Sequence, residues 1–144
     1  MIVCDTGPLL AVANKHDNEH DACLQVLSTE PGPLIVPAMI VTEVCYMLGR
    51  VNAEAEANFL RSIAVGELRV ESHTTEDYLR IADLVVKYRG FPLGAADASV
   101  VAVAERLRVE RIATLDHRHF RQVLPAHCGS FELFPAESQL ARHR

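Results

Sequence analysis

Ile112-Ala113-Thr114-Leu115-Asp116 is a short apolar stretch that ends in a carboxylate, and Ile2-Val3-Cys4-Asp5 has the same arrangement near the start of the chain. Short runs of this kind, several with β-branched residues, are typical of buried strands. Similar runs lie at residues 34–36, 68–70 and 131–134. The sequence therefore predicts five short strands, and an isolated acid ends or follows two of them.

Longer segments with apolar residues at helical spacing separate these strands. We predict helices over residues 20–27, 37–48, 53–64, 75–88 and 96–107. Strands that alternate with helices form a parallel sheet with helices on both faces. The chain is therefore predicted to have an α/β fold, an α/β/α sandwich with a short, mainly parallel central sheet.

The composition fits one domain with a real core. The chain has 144 residues, of which 49% are hydrophobic, and this length is enough to bury a sizeable apolar interior. No apolar run approaches the roughly 18 residues of a membrane span, and no basic region precedes a cleavable apolar segment at the N-terminus. We therefore expect a cytoplasmic protein with no membrane contact. Residues 1–137 are expected to form the domain, and residues 138–144 a frayed C-terminal tail.

Four isolated acids interrupt or end apolar stretches of the chain. Burying one carboxylate costs several kcal/mol, and gathering like charges costs more, so the arrangement needs a cation. Lys and Arg are scarce beside these positions, which leaves a divalent metal. Carboxylate oxygens suit hard cations such as Mg²⁺, which keeps several waters in an open site. The four acids are Asp5, Glu43, Asp97 and Asp116.

The predicted fold brings these acids towards one edge of the sheet. Ligands of parallel sheets bind beyond the carboxyl ends of the strands, where Asp5 and Asp116 lie. Asp97 falls in the first turn of its helix, where the helix dipole favours a negative charge. Glu43 shares the apolar stripe of its helix with Met47 and therefore projects towards the sheet. A single acid could instead cap the next helix, but four together favour a metal site.

Four short motifs occur in order along nearly the whole chain: Asp5-Thr6-Gly7, Thr42-Glu43, Gly94-Ala95-Ala96-Asp97-Ala98-Ser99 and Thr114-Leu115-Asp116-His117-Arg118-His119-Phe120. Together they resemble the PIN domain, and specifically the VapC-type toxins of bacterial toxin–antitoxin pairs. Many PIN domains carry a further acid two residues after the fourth, whereas this chain has Arg118 there. The resemblance therefore leaves one bound metal ion or two as alternatives.

The resemblance implies an Mg²⁺-dependent endoribonuclease, a phosphodiester hydrolase in which Mn²⁺ can substitute. It implies a toxin that cleaves cellular tRNA or rRNA by metal-activated water and leaves 5′-phosphate and 3′-hydroxyl ends. Asp5 and Asp97 are the expected direct metal ligands, and Glu43 and Asp116 complete the catalytic cluster directly or through water. The alternative is a catalytically silent PIN-like domain that acts as a binding or regulatory partner.

Neighbouring side chains have supporting roles in this hypothesis. The hydroxyl groups of Thr6 and Thr114 are expected to orient the carboxylates. The net charge of −5 argues against a generally basic surface, so RNA phosphates must meet a local cluster. The candidates for this cluster are His117, Arg118, His119 and Arg121. A solvated loop that makes no RNA contact would explain the same run of residues equally well.

Two protein partners follow from the resemblance. A VapB-type antitoxin is expected to lay a disordered segment into a groove between the helix of residues 37–48 and the helix that begins at Ala53. A homodimer is expected to form through the face around residues 95–107 and to gather arginines beside the RNA cleft.

Overall fold

The computed structural model describes residues 1–141 of the chain, along which strands and helices alternate. The strands are β1 (Ile2–Cys4), β2 (Leu34–Pro37), β3 (Arg69–Glu71), β4 (Arg111–Ala113) and β5 (Glu132–Phe134). The α-helices are α1 (Thr6–Ala13), α2 (His20–Thr29), α3 (Ala38–Gly49), α4 (Ala53–Ala64), α5 (Thr75–Lys87), α6 (Ala95–Leu107) and α7 (His117–Gln122), and a 3₁₀ turn covers Glu137–Gln139. Among residues 1–141, none of the helices has the length and hydrophobicity of a membrane span.

The strands form one sheet in the order β3-β2-β1-β4-β5, and every neighbouring pair is parallel. The prediction of an α/β fold with a mainly parallel sheet is therefore confirmed. From the central strand β1, the chain proceeds outward to β2 and β3 on one side and later to β4 and β5 on the other. The order thus reverses between β1 and β4, and such a switch point opens a crevice at the carboxyl ends of the strands.

Apolar residues of the three central strands form the middle of the core. Ile2, Val3, Ile35, Val36 and Ile112 are all fully buried. This burial is expected because the helices of an α/β protein cover both faces of a parallel sheet. Strand β1 is therefore apolar throughout, and the first polar residue of this segment, Asp5, follows directly after its carboxyl end.

Helix α6 packs against α5, α3 and the sheet in the interior of the domain. Every residue from 98 to 104 is buried. The alanines in this segment allow the helix to lie close to its neighbours. Because α6 offers so little exposed apolar surface, the expectation of a dimer contact around residues 95–107 does not fit the structure.

Side chains outside the helices satisfy backbone groups at several helix starts. In α5, Thr74 Oγ1 accepts the Asp77 amide at 3.0 Å, and Asp77 Oδ2 accepts the Thr74 amide at 3.2 Å, which forms a capping box. The Asn52 side chain caps α4. Helix α3 is capped from another element, because His73 Nε2 accepts the Met39 amide at 3.2 Å. The β3–α5 connection therefore helps to fix the start of the helix that carries one of the four acids.

Helices α1 and α7 lie where we predicted none. The residues from Pro8 to Ala13 are all apolar, so α1 has no amphipathic periodicity that would indicate a helix. Helix α7 has only six residues, which is too short for a periodic signal. Both helices begin directly after an acid of the predicted site, Asp5 and Asp116 respectively.

The predicted C-terminal tail is in part packed against the domain. Leu140 is 3% exposed, and the Ala141 amide donates to Glu19 Oε1 at 2.7 Å. Residues 138–141 are therefore part of the domain, since burial and a hydrogen bond hold them in place. Residues 142–144 of the predicted tail lie outside the described residues.

Candidate active site

The four isolated acids meet in one cavity at the carboxyl end of the sheet. Asp5 follows β1, Asp116 lies beyond the end of β4, Glu43 lies on α3, and Asp97 lies in the first turn of α6. The cavity has a volume of about 390 Å³, and its walls are formed by Asp5, Thr6, Gly7, Leu10, Glu43, Met47, Asp97, Leu115 and Asp116. The fold thus brings together four carboxylates that are far apart in the sequence.

Thr114 joins two parts of this cavity through one hydroxyl group. Its Oγ1 donates to Asp5 Oδ2 at 2.8 Å and accepts the Asp116 backbone amide at 2.9 Å. Both Thr114 and Asp5 are buried, with exposed fractions of 0% and 5%. Thr114 therefore fixes the Asp5 carboxylate relative to the loop that carries Asp116.

Thr6 lies in the cavity wall beside Asp5. Its backbone amide faces the Asp5 carboxyl and lowers the pKa of that group. Its Oγ1, by contrast, is buried and has no hydrogen-bond partner within residues 1–141. Buried hydroxyl groups are normally satisfied by protein or by ordered water, so Thr6 supplies an unsatisfied polar atom for a hydrated ligand in the cavity.

Two of the acids lie in surroundings that oppose their negative charge. The pKa of Asp5 is raised to about 7, mainly by burial and then by the charge of Asp97, although the hydrogen bond from Thr114 lowers it. Burial likewise raises the pKa of Asp97 to about 6, and the charges of Asp116 and Glu43 add to this effect. A cation bound among these carboxylates would offset both the burial and the repulsion.

The donor atoms of the cavity fit a hydrated Mg²⁺ ion. Within the described part of the chain, no group of three or more His, Cys, Asp or Glu side chains is placed to hold a metal ion by itself. Mg²⁺ keeps several waters and takes one or two carboxylates directly, so it needs an open acidic cavity and not a closed cage. The walls contain carboxylates and neither His nor Cys, which favours a hard cation over zinc.

A basic and aromatic cluster adjoins the cavity at Asp116. The Asp116 carboxylate accepts the His119 backbone amide at 3.1 Å, and its Oδ2 lies 2.6 Å from His119 Nδ1. The Phe91 and His119 rings pack together with their centroids 4.7 Å apart, and the Arg118 guanidinium lies 5.0 Å from the centroid of Phe91. The sequence pattern indicated His119 and Arg118 but not Phe91, because the contact of Phe91 with α7 arises only in the fold.

The other two candidates for RNA contact are placed differently. His117 is 2% exposed, so the expectation of an RNA contact does not fit it. The Arg121 guanidinium forms an ion pair with Glu137 at 2.6 Å, so its charge is already partly offset. The expected basic patch is therefore reduced to Arg118 and His119.

The cavity also has apolar walls that the sequence analysis did not assign to the site. Met47 lies one helical turn after Glu43 on α3, a spacing that could have indicated it. Leu10 lies on α1, a helix that the apolar pattern did not predict. A Cβ atom at Gly7 would lie 3.2 Å from the Leu115 side chain, so glycine allows α1 to begin close against this wall.

Known proteins resemble this chain over most of its length. The PIN domain family model matches residues 2–123. Ribonuclease VapC26 of Mycobacterium tuberculosis is 32% identical over 135 residues, which cover 93% of this chain and 100% of that protein.

Two solved structures share the fold. VapC20 of Mycobacterium tuberculosis, described as a sarcin-ricin loop cleaving toxin, has a TM-score of 0.71 and 18% identity, covering 78% of this chain and 87% of that chain. VapBC2 of Rickettsia felis, bound to a DNA fragment from its promoter, has a TM-score of 0.68 and 16% identity, covering 93% of this chain and 99% of that chain. At these identities, the likeness concerns the fold.

Proposed function

This chain belongs to the PIN domain family, and we propose that it is a metal-dependent endoribonuclease that acts in the cytoplasm as the toxin of a VapBC-type toxin–antitoxin pair. The observation that carries the proposal is the convergence of Asp5, Glu43, Asp97 and Asp116 in one cavity. The name of the 32% identical relative, a ribonuclease, supports RNA as the substrate.

Asp5 and Asp97 are the residues that would hold a divalent cation, Mg²⁺ or Mn²⁺, and Glu43 and Asp116 complete the cluster. A cation bound there supplies a water of lowered pKa and offsets negative charge on the phosphate during hydrolysis. The Thr114 hydroxyl orients Asp5 through its hydrogen bond of 2.8 Å. The four carboxylates come from segments that are far apart in the sequence, so the site forms only when the domain folds.

Cleavage of RNA by the purified protein tests this proposal. We expect tRNA or rRNA to be cut with 5′-phosphate ends, and cleavage to stop in excess chelator and in the variant Asp97→Asn. Asp21→Asn is the matched control, because Asp21 is an exposed carboxylate on α2 that does not line the cavity.

Undiminished cleavage in excess chelator would contradict the metal-dependent mechanism. If the protein binds its antitoxin but cuts no RNA with either metal, the result would favour the alternative of a catalytically silent binding domain.

A second, larger cavity fits the expected antitoxin segment. It has a volume of about 1090 Å³ and lies between residues of α1 and α2 and residues of α4, with Leu24, Leu27 and Phe59 among its apolar walls. We propose that a disordered segment of a VapB-type antitoxin folds into this cavity, which we call the α2–α4 groove. The VapBC2 structure, whose chain shares this fold, supports an antitoxin as partner. Helix α3, which we expected to form the groove with α4, contributes no residue to it.

The variant Leu24→Glu tests this groove. Leu24 is 43% exposed in the free domain and lines the cavity, so a carboxylate there should be tolerated until an apolar segment covers it. We expect the affinity for its VapB-type antitoxin to fall at least roughly tenfold. Leu124→Glu is the control, because Leu124 is 63% exposed outside the groove. Equal antitoxin affinity of the two folded variants would remove the groove from the proposal.

A further inference from the structure

Phe91 holds a guanidinium and an imidazole beside the acid cavity without forming part of its walls. It lies in the connection between α5 and α6, and its ring packs on His119 at 4.7 Å with an angle of 41° between the ring planes. The Arg118 guanidinium lies 5.0 Å from the centroid of the same ring. We call Phe91, Arg118 and His119 the Phe91 cluster. Its residues come from two segments that are far apart in the sequence.

The Phe91 cluster is joined to the acid cavity at two points. His119 Nδ1 lies 2.6 Å from Asp116 Oδ2. The chain after Phe91 passes through Leu93, which is 3% exposed and anchors this connection in the core, and then enters α6 with Asp97 in its first turn. A ligand group that contacts the Phe91 cluster therefore lies near any phosphate that is held at the acids.

The Phe91 cluster is open to a large ligand. Phe91 and His119 are partly exposed, and Arg118 is exposed. Among residues 1–141, Arg118 forms no salt bridge, in contrast to five arginines whose guanidinium groups contact carboxylates: Arg61, Arg80, Arg106, Arg111 and Arg121. An accessible aromatic ring beside a guanidinium without an ion-pair partner is a combination that stacks nucleobases.

We propose that the Phe91 cluster binds an unpaired nucleobase of the RNA next to the phosphate to be cleaved, with the base stacked on Phe91 and Arg118. This inference rests on the proposed ribonuclease function. It also explains how a chain of net charge −5, with four acids at its site, can hold a polyanion. A negatively charged protein as a whole does not attract phosphates. Stacking, by contrast, does not depend on net charge and strengthens binding by roughly tenfold or more per base.

The proposed contact restricts the substrate to RNA with an unpaired base at the cleavage position. In a duplex, each base is already stacked on its neighbours, so it cannot lie on a protein ring without being displaced. Every base has an aromatic face, so the Phe91 cluster selects a single-stranded position and not a particular base.

The experiment measures stacking in the absence of cleavage. In an Asp5→Asn/Asp97→Asn background, short unpaired oligoribonucleotides carry the fluorescent base 2-aminopurine at one position each, and its emission falls when it stacks. We expect quenching at one position only. Adding Phe91→Leu should abolish this quenching and weaken binding roughly tenfold, whereas Phe91→Tyr should preserve both.

Two further variants make the test specific to the Phe91 cluster. Arg118→Ala changes an exposed side chain and should lower the quenching without disturbing the fold. Tyr46→Leu is the matched control, because Arg50 lies 5.7 Å from the centroid of the exposed Tyr46 ring, and neither residue lines the acid cavity. Unchanged binding and quenching in folded Phe91→Leu and Arg118→Ala would overturn the proposal, as would an equal loss in Tyr46→Leu.

The base site and the ribonuclease proposal can fail separately. If the oligoribonucleotide stacks on Phe91 but the wild-type protein never cuts RNA, the base site stands and the nuclease does not. If the wild-type protein cuts a single-stranded loop and Phe91→Leu cuts it with the same KM and kcat, the nuclease stands and the base site is removed. We expect Phe91→Leu to raise KM roughly tenfold, with a smaller change in kcat.

Discussion

The Thr114 hydroxyl forms hydrogen bonds both with the Asp5 carboxylate and with the Asp116 backbone amide. Thr114→Val keeps the shape of the side chain but leaves Asp5 Oδ2 without this donor in a buried place. We expect the free energy of unfolding to fall by about 1–3 kcal/mol and RNA cleavage to drop, because a buried acceptor loses its partner. Urea unfolding and initial cleavage rates measure the two effects. Thr114→Ser restores the hydroxyl and should recover most of both; equal behaviour of the Val and Ser variants would contradict this role.

Asp5 illustrates the opposition between function and stability at one residue. Its pKa, raised to about 7, means that the folded protein opposes the ionised form. Asp5→Asn removes the charge and keeps an oxygen that can accept from Thr114. In metal-free buffer above neutral pH, we therefore expect the free energy of unfolding to rise by about 1–2 kcal/mol while cleavage is lost.

A thermal melt with and without Mg²⁺ or Mn²⁺ completes this test. Either metal should raise the Tm of the wild-type protein, because a ligand that binds only the folded state stabilises it. The Tm of Asp5→Asn should change little. A metal-induced rise of equal size in both proteins would show that Asp5 is not a ligand.

At the scale of elements, Arg106 on α6 fastens α5 to the end of β3. It donates to both carboxylate oxygens of Asp77 at 3.1 Å, to Glu71 Oε1 at 2.9 Å and to the Ser72 carbonyl at 3.1 Å. The Asp77 side chain is 4% exposed, so Arg106→Gln leaves a buried carboxylate without its cation. We expect the free energy of unfolding to fall by about 3 kcal/mol, measured in urea.

The control for this prediction is a surface ion pair. Arg61 and Glu54 lie 2.8 Å apart on α4 with 63% and 70% of their side chains exposed, so Arg61→Gln should cost less than about 1 kcal/mol. Similar losses in the two variants would show that burial does not strengthen the Arg106 contact.

The same contact makes stability depend on pH. Burial alone would raise the pKa of Asp77, but hydrogen bonds from Arg106 and Thr74 lower it below its ordinary value. An acid of this kind stabilises the folded state above its unfolded pKa, and the stabilisation is lost as the pH falls through the folded pKa. We expect the free energy of unfolding to decrease below about pH 4, and to decrease less in Arg106→Gln. An identical acid response of both proteins in urea unfolding would contradict this assignment.

A helix or strand could be predicted from the sequence where its own residues carry a periodic pattern or a capping residue. Helix α4 has the predicted bounds, Ala53–Ala64, because an amphipathic pattern follows the capping residue Asn52. Helix α1 has no such pattern, since it is buried between other elements and apolar throughout most of its length. Helix α1 packs against α2 and α3, and the spacing of its own residues does not indicate these contacts.

At the scale of the whole molecule, the four acids could be selected from the sequence because each one is isolated among apolar residues. The order of the strands then explains why they converge, since β1 and β4 flank the switch point of the sheet. The contacts of Phe91 and the burial of His117 depend on distances between elements, which residue spacing does not encode. The same limit applies to surfaces, because burial of α6 removes it as a dimer face.

Helix α5 carries the apolar surface that a homodimer requires. The exposed fractions of Tyr78, Leu79, Val85 and Val86 are 54%, 64%, 37% and 58%, and their spacing of seven places them in one stripe. Exposed apolar side chains gathered on one face commonly mark interaction sites, so we predict that two copies associate through this stripe. In Leu79→Glu/Val86→Glu, each copy would bring two carboxylates to the contact. We expect light scattering at tens of micromolar to give a dimer for the wild type and a monomer for this variant.

Val51→Glu is the control, because Val51 is 87% exposed in the α3–α4 turn. A wild-type monomer would remove the dimer, and a dimer that persists in the double variant would exclude α5 as its contact.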